Sequence, residues 1–386
     1  MRKASRIEKI PPYLFAEIDK KKEAALARGV DIISLGIGDP DLPTPGVIVE
    51  ALCREAHDPV NHRYPDYEGS LAYRQALADW YRTRFGVELE PRTEVMALIG
   101  SKEGIAHIIW AYVDPGDYAL VPDPAYPVYR THTLLAGGIP YPMPLRAERG
   151  FLPDFREIPR DIARKARIMF LNYPNNPTAA VADLEFFREA VAFAREHDIV
   201  LCHDNAYAEM TFDGYVAPSL LQVEGARDLA VEFYSFSKPF NMTGWRIGAC
   251  VGNREIVAAL GIIKTNTDSG QFTAIQKAAI AGLQDRPTAF FQQMNEVYRR
   301  RRDLLVDSLN AMGWKVPRPR GSFYIWAPVP NGQTSAEFAG FLLEKAGVIV
   351  TPGSAYGQHG EGYVRMALTV PEERIAEALE RIKQAI

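Results

Sequence analysis

Val231-Glu232-Phe233-Tyr234, followed by Ser235-Phe236-Ser237-Lys238-Pro239-Phe240-Asn241-Met242 and Thr243-Gly244-Trp245-Arg246, joins an apolar run to a turn that carries hydroxyls, an amine and a guanidinium. The first four residues are β-branched or aromatic apart from Glu232, so they read as a buried strand. Ser235 and Ser237 then share one side of the chain at the strand's carboxyl end, where open α/β sheets place their ligands. Lys238 follows at once and Arg246 eight residues later. Two hydroxyls and a guanidinium can therefore converge on a phosphate while the amine reaches past it. An amine beside a phosphate site points to a Schiff base with a phosphorylated aldehyde, pyridoxal 5'-phosphate. On its own the pattern also fits a surface lysine and arginine flanking a loop.

Moving outward, Ile199-Val200-Leu201-Cys202 is a second apolar run, and it delivers His203-Asp204-Asn205-Ala206-Tyr207. An unpaired carboxylate at the end of a buried strand is costly. A pyridinium nitrogen would pair with it, an attraction on the order of 4 kcal/mol at about 4 Å and an effective dielectric near 20. Tyr207 is then placed to donate its hydroxyl to the ring's phenolic oxygen. Read singly, Asp204 also suits a helix N-cap and Tyr207 ordinary packing. Ile168-Met169-Phe170-Leu171 reads as a third strand, ending in Asn172-Tyr173-Pro174-Asn175-Asn176-Pro177-Thr178, a turn whose asparagines present amides. Asn176 is the candidate second donor to the phenolic oxygen. Val95 to Ile99 leads into Gly100-Ser101-Lys102-Glu103-Gly104 and a helical pattern, a helix N-terminus whose free amides suit a phosphate.

With these motifs in their observed order, the chain resembles the class I/II aminotransferases, the fold-type I pyridoxal-phosphate enzymes, over nearly its whole length. Within that family it is most similar to the LL-diaminopimelate aminotransferases. The matching stretches are Leu35 to Asp41, Leu98 to Ala106, Tyr173 to Thr178, Lys238 to Gly248 and Ala367 to Glu373. One departure is Ala179-Ala180, where the family commonly follows Asn-Pro-Thr with glycine; the change stiffens the turn. The resemblance implies that Lys238 carries the Schiff base and moves the proton, that Asp204 pairs with the ring nitrogen, and that Asn176 and Tyr207 bind the phenolic oxygen. It assigns the phosphate to Ser101, Lys102, Ser235, Ser237 and Arg246, with Tyr64 reaching it from a neighbouring subunit, and lays Tyr126 over the ring face. For substrate it implies Arg365 on the α-carboxylate, with Tyr13, Gly38, Lys102, Tyr126, Asn176 and Asn266 around it. Arg365 lies in the alternating pattern Tyr363 to Leu368 of a half-buried strand, where a guanidinium needs a carboxylate, from a substrate or from an internal salt bridge. Asp66 or Glu68 is the expected partner of a distal ammonium, and both also suit a solvated turn.

Composition sets the outer limits. The chain has 386 residues, 47% hydrophobic and 24% charged, enough for a core and about two domains. A net charge of −4 and no dominant basic tract argue against a nucleic-acid surface. Arg299 to Arg302 reads as a solvated helix face. Cys53, Cys202 and Cys250 lack metal-ligand spacing, so no metal site is expected and reduced cysteines in a cytoplasmic protein are the default. No secretory signal or membrane-spanning run is visible. Strand and helix patterns alternate from Val95 to Val251, predicting an α/β fold with a mainly parallel sheet between helices. The resemblance makes this a seven-stranded large domain at 46–284, with a smaller α+β domain built from 1–45 and 285–386. It further implies a homodimer with active sites at the subunit interface, exchanging an amino group between LL-2,6-diaminopimelate and 2-oxoglutarate in lysine biosynthesis. Family relatives act on alanine, aspartate or aromatic amino acids, and a C–S lyase would keep the same cofactor residues.

Overall fold

A computed structural model of the chain describes residues 2–10, 20, 22–23, 27, 29–285 and 288–386. Tyr13 lies outside the described residues.

Among the described residues, seven strands make one sheet: β2 (Val95–Leu98), β3 (Tyr118–Asp123), β4 (Ile139–Pro144), β5 (Ala166–Leu171), β6 (Val200–Asn205), β7 (Ala230–Ser235) and β8 (Gly248–Gly252), in spatial order β2-β8-β7-β6-β5-β3-β4. All neighbours are parallel except β8, which runs antiparallel to both β2 and β7. The expected α/β architecture is thus present. Strands β2, β7 and β8 are buried at every position, as sheets covered on both faces require. β4 forms an edge and holds Pro140, Pro142 and Pro144, residues that cannot donate to a further neighbour. The helix Leu184–Glu196 shows how the covering layer is specified: Asp183 caps it by accepting from the Phe186 amide, and Phe186, Phe187, Ala190, Val191 and Ala194 form its buried stripe.

The segment after residue 30 joins the other end of the chain. β1 (Ile33–Ser34) pairs in parallel with β10 (Val348–Ile349), and the Ala367 amide donates to Leu35 O at 2.6 Å. β9 (Tyr324–Pro328) and β11 (Thr351–Pro352) flank β12 (Tyr363–Ala367) in an antiparallel sheet that sets Arg365 opposite Trp326. Residues 35–39 and Arg365 are thereby held together.

The arginine run departs from expectation. Arg299 and Arg300 are open to solvent, but Arg301 and Arg302 are 5% and 1% exposed. They fall on the stripe Met294, Tyr298, Leu305 and Leu309 that buries the helix Thr288–Ala311. Long side chains let buried stems carry charge to distant partners. Arg301 grips Asp41 with two bonds at 2.7 and 2.8 Å, and Arg302 grips Asp213 at 2.6 and 3.0 Å. Cys202 and Cys250 are buried thiols and Cys53 is an exposed one.

Candidate active site

A cavity of about 350 Å³ opens where β5, β6 and β7 end and β8 begins, within the size range of small-molecule sites. It is lined by Gly38, Ser101, Lys102, Tyr126, Asn176, Asp204, Tyr207, Ser235, Ser237, Lys238, Arg246 and Arg365. Residues scattered along the sequence are therefore brought to one place by parallel strands that stop at one level. Ile37, Asp39, Asn172, Ala206, Thr243 and Tyr324 line it as well.

Asp204 lies inside β6, which removes the helix-cap reading. Its Oδ2 accepts from the Tyr129 hydroxyl at 2.8 Å, while Oδ1 is buried without a hydrogen-bond partner. Burial pushes this carboxyl up to about 6, with the Tyr129 hydroxyl and the neighbouring His203 and Lys238 opposing the rise. One tied and one untied oxygen in a desolvated cavity wall is a site for a cationic N–H. Lys238 projects from the turn after β7 and donates to Gly38 O at 2.9 Å. Desolvation lowers its ammonium to about 8, against the pull of Asp39 and with help from Arg365 and Arg246. An amine near that value has a sizeable neutral fraction at mildly alkaline pH, the form that attacks a carbonyl.

The corner of the cavity between the Ser101 helix start and Arg246, suited to an anion, depends on two glycines. Gly100, at φ +78°, begins the helix Ser101–Tyr112; a Cβ there would stand 2.2 Å from Arg246 Nη2. A Cβ on Gly248 would be 3.0 Å from the Ser101 amide nitrogen and 2.7 Å from Tyr234 O. The guanidinium thus stacks against the helix start, whose first amides have no acceptor within the helix. Arg246 Nη1 is steadied by Thr243 O at 2.7 Å, and the Ser237 amide donates to Ser235 Oγ at 3.2 Å.

Across the cavity, Arg365 is 1% exposed. Its Nη1 donates to Asn176 Oδ1 at 2.9 Å and its Nη2 to Gly36 O at 2.7 Å, both neutral oxygens. The guanidinium carbon lies 4.1 Å from the Tyr324 ring centre and 5.0 Å from that of Tyr356. The Asn172–Thr178 turn supplies its own support: Asn172 Oδ1 accepts from the Asn176 amide at 2.8 Å, and Asn172 Nδ2 donates to Asp204 O at 2.7 Å. Tyr207 and Tyr324 bring their hydroxyls to 3.2 Å.

Two expected residues stand apart. Tyr64 is 88% exposed and Asn266 is an exposed residue whose Nδ2 donates to Ile262 O, so neither lines the cavity of a single chain. Glu68 Oε2 pairs with Arg74 at 3.1 Å, and Glu68 and Asp66 are both exposed. Tyr129 and Tyr324 were missed. Tyr129 had a local signal, lying three residues past Tyr126 in the first turn of the helix Val128–Ala136, just after the Asp123 strand end. Tyr324 had none, because it meets Gly38 only through the pairing of distant strands; a Cβ on Gly38 would be 2.0 Å from its hydroxyl.

A mainly parallel seven-stranded sheet that gathers a lysine, an aspartate and an arginine in one cavity fits the aminotransferase class, and the family match makes that class definite. The family profile described as aminotransferase class I and II matches residues 30–382, and the chain belongs to that family. It is 58% identical over 386 residues to a Moorella thermoacetica protein named LL-diaminopimelate aminotransferase, covering 100% of this chain and 99% of that one. A protein of the same name from Gloeobacter violaceus is 55% identical over 389 residues, covering 100% of this chain and 98% of that one. Among solved structures, substrate-bound BacF from Bacillus subtilis superposes with a TM-score of 0.96 at 40% identity, over 100% of this chain and 98% of that one. A Thermus thermophilus aspartate aminotransferase variant gives 0.94 at 31%, over the whole of both chains. No described helix is long and apolar enough to cross a membrane.

Proposed function

We propose that the chain is a pyridoxal-phosphate-dependent aminotransferase that exchanges an amino group between LL-2,6-diaminopimelate and 2-oxoglutarate, a reaction of lysine biosynthesis. The observation that carries the cofactor reading is the buried, unpartnered Asp204 Oδ1 in a cavity that also holds a desolvated lysine amine and an arginine-backed helix start. The substrate reading is supported by 58% and 55% identity over the whole chain to two proteins of that name. When bound, pyridoxal phosphate supplies an aldehyde carbon for an amine and a cationic ring that draws electrons from the substrate's α-carbon.

The chain's own residues then divide the work. Asp204 Oδ1 accepts the ring N–H and holds that proton in place, while Tyr129 fixes the carboxylate's angle. Asn176 Nδ2 and the Tyr207 hydroxyl donate to the phenolic oxygen. Tyr126 packs on the ring face. The Ser101 amide and its neighbour at Lys102, the hydroxyls of Ser235 and Ser237, and Arg246 bind the phosphate. Lys238 Nζ would hold the cofactor's aldehyde carbon and, once displaced by a substrate amine, serve as the base for the α-proton, with burial bringing its ammonium down to about 8. Arg365, held in plane by Asn176 and Gly36, grips the α-carboxylate; Gly38 and Lys102 border the same space, and we also place Tyr13 and Asn266 at the substrate. We further infer a cytoplasmic homodimer in which the exposed Tyr64 enters the neighbouring cavity, with 46–284 as the cofactor domain and 1–45 plus 285–386 as the smaller one.

A panel of amino donors with 2-oxoglutarate tests the reading. Glutamate formation should be fastest by far with LL-diaminopimelate. Preference for alanine, aspartate or tyrosine would move the chain to another specificity in the family. Pyruvate and ammonia released without an oxo acid would identify a C–S lyase instead.

A further inference from the structure

Behind the anion-binding corner lies a buried cation that the mechanism does not use. Lys264, in the last turn of the helix Arg254–Thr265, is 1% exposed. Its Nζ contacts both Asp268 carboxylate oxygens at 2.9 Å and Glu103 Oε1 at 3.5 Å. Glu103, His107 and Asp268 alone would be a set of ligand atoms compact enough for a metal ion. The ammonium, seated on both carboxylates, supplies the positive charge there.

Each carboxylate in turn holds a piece of the corner. Glu103 Oε2 accepts from the Ile99 amide at 2.9 Å, which ties down the strand-to-helix turn just before Ser101. Asp268 Oδ1 accepts from the Gly270 amide at 2.7 Å. One residue further, Gln271 Nε2 donates to Trp245 O at 3.0 Å and also to Arg246 O. Gly270, at φ +85°, packs so closely that a Cβ would be 3.0 Å from Asp66 O and 3.1 Å from Pro65. The lysine therefore stands between the element presenting Ser101 and the segment gripping the Arg246 backbone, and the same segment abuts the loop that carries Tyr64.

We propose that Lys264 is a positioning residue for the phosphate-binding corner, acting through Glu103 and Asp268 to set the distance between the Ser101 helix start and Arg246. The inference rests on the reading of the cavity as a pyridoxal-phosphate site. Removing the ammonium leaves Glu103, whose Oε1 also lies 2.7 Å from His107 Nδ1, facing Asp268 with no lysine cation between them, and the repulsion of the two carboxylates pushes the two elements apart. The effect falls on the phosphate contacts and not on the ring or the imine-forming amine.

The test compares cofactor-free protein carrying Lys264→Met or Lys264→Arg with the wild type. Dissociation constants are measured for pyridoxal 5'-phosphate and for pyridoxal, which lacks the phosphate, from the absorbance change on binding. Lys264→Met should weaken pyridoxal phosphate roughly tenfold, within the range for residues sharing one hydrogen-bond network. Its pyridoxal affinity should move less than about twofold, and Lys264→Arg should restore most of the loss. Equal weakening of both aldehydes, or none of either, overturns the proposal. If Lys264→Met does not fold, Lys264→Gln, which also removes the ammonium but keeps a polar end, serves in its place with the same pattern expected and the same result overturning it. A wild-type protein with no preference for the phosphorylated aldehyde would instead overturn the cofactor reading underneath.

Discussion

On the sheet side of the cavity, Asp204 and Lys238 leave the ends of two adjacent parallel strands, β6 and β7, whose residues are almost entirely buried. On the facing side, Gly38, Tyr324 and Arg365 come from the two ends of the chain and meet only because β1 pairs with β10 and β9 with β12. The sheet wall holds groups with displaced protonation: a carboxyl pushed up to about 6 and an amine pushed down to about 8. The facing wall instead holds a guanidinium clamped by neutral oxygens and aromatic faces. On the proposed function, the first arrangement would move protons and the second would recognise a fixed anion. Substitutions on the two walls should therefore separate into losses of turnover and losses of affinity.

The largest effect belongs to Lys238. Lys238→Ala removes both the imine-forming amine and the proton carrier, so turnover should fall on the order of 10⁴-fold or more. The phosphate-binding residues remain, and the protein should still bind the cofactor noncovalently. Borohydride reduction of the wild type should label this lysine, and label on another lysine would remove the assignment.

Asp204→Asn keeps the shape and removes the charge. Turnover at saturating cofactor should drop about 10³-fold, the size of a lost electrostatic contact to developing charge, with a smaller loss of cofactor affinity. Without cofactor the sign reverses. The folded carboxyl titrates near 6 and the unfolded one near 3.8, so between those values the folded chain binds more protons and loses stability as pH rises. By pH 7.5 the ionised Asp204 costs roughly 3 kcal/mol, and at pH 4 little of that cost remains. Urea unfolding of the cofactor-free proteins should find the asparagine variant more stable at pH 7.5 and nearly matched to wild type at pH 4. A difference independent of pH would mean that the orphaned oxygen is not the source.

The same division explains what the sequence disclosed. Ser235, Ser237 and Lys238 follow one strand run, and Asp204 and Tyr207 another; local periodicity carries both, since a strand's side and end are set by a few neighbouring residues. The facing wall depends on the register of β1 with β10, hundreds of residues apart, and of β9 with β12 across an intervening helix, so Tyr324 stayed unread and Arg365 was assigned by resemblance. The misread arginine run has a similar cause. Arg301 and Arg302 look like a solvated face until Asp41 and Asp213, distant in sequence, arrive as partners.

Arg365→Lys probes the facing wall directly. Lysine keeps the charge but loses the planar fork, with the contacts to Asn176 and Gly36 that aim it. The KM for amino donors should rise about 10²-fold, as expected when a buried, paired charge contact is broken, while kcat changes much less. A kcat loss with KM unchanged would place Arg365 in the chemistry and erase the distinction between the walls.

The smallest expected effect lies at the turn joining the two walls. Ala179 has a φ of +58°, a left-handed conformation costing an alanine about 1–2 kcal/mol. Ala179→Gly relieves that cost. It also gives up a buried methyl worth about 0.8 kcal/mol and adds about 0.5–1 kcal/mol of unfolded-chain entropy; the residue is only 3% exposed. The terms nearly cancel, so Tm should move by no more than about 2–4 °C. Ala179→Val has no such compensation, because a β-branched residue is a steric outlier at positive φ. Its strain falls on the hydrogen bonds from the Ala179 amide to Asn175 O and from the Asn175 amide to Ala180 O, which shape the turn presenting Asn176 to Arg365. The valine variant should therefore lose stability and raise the donor KM together, while the glycine variant changes neither by much. A valine variant with lower Tm but an unchanged KM would show that the turn can strain without moving the residue that links the two walls.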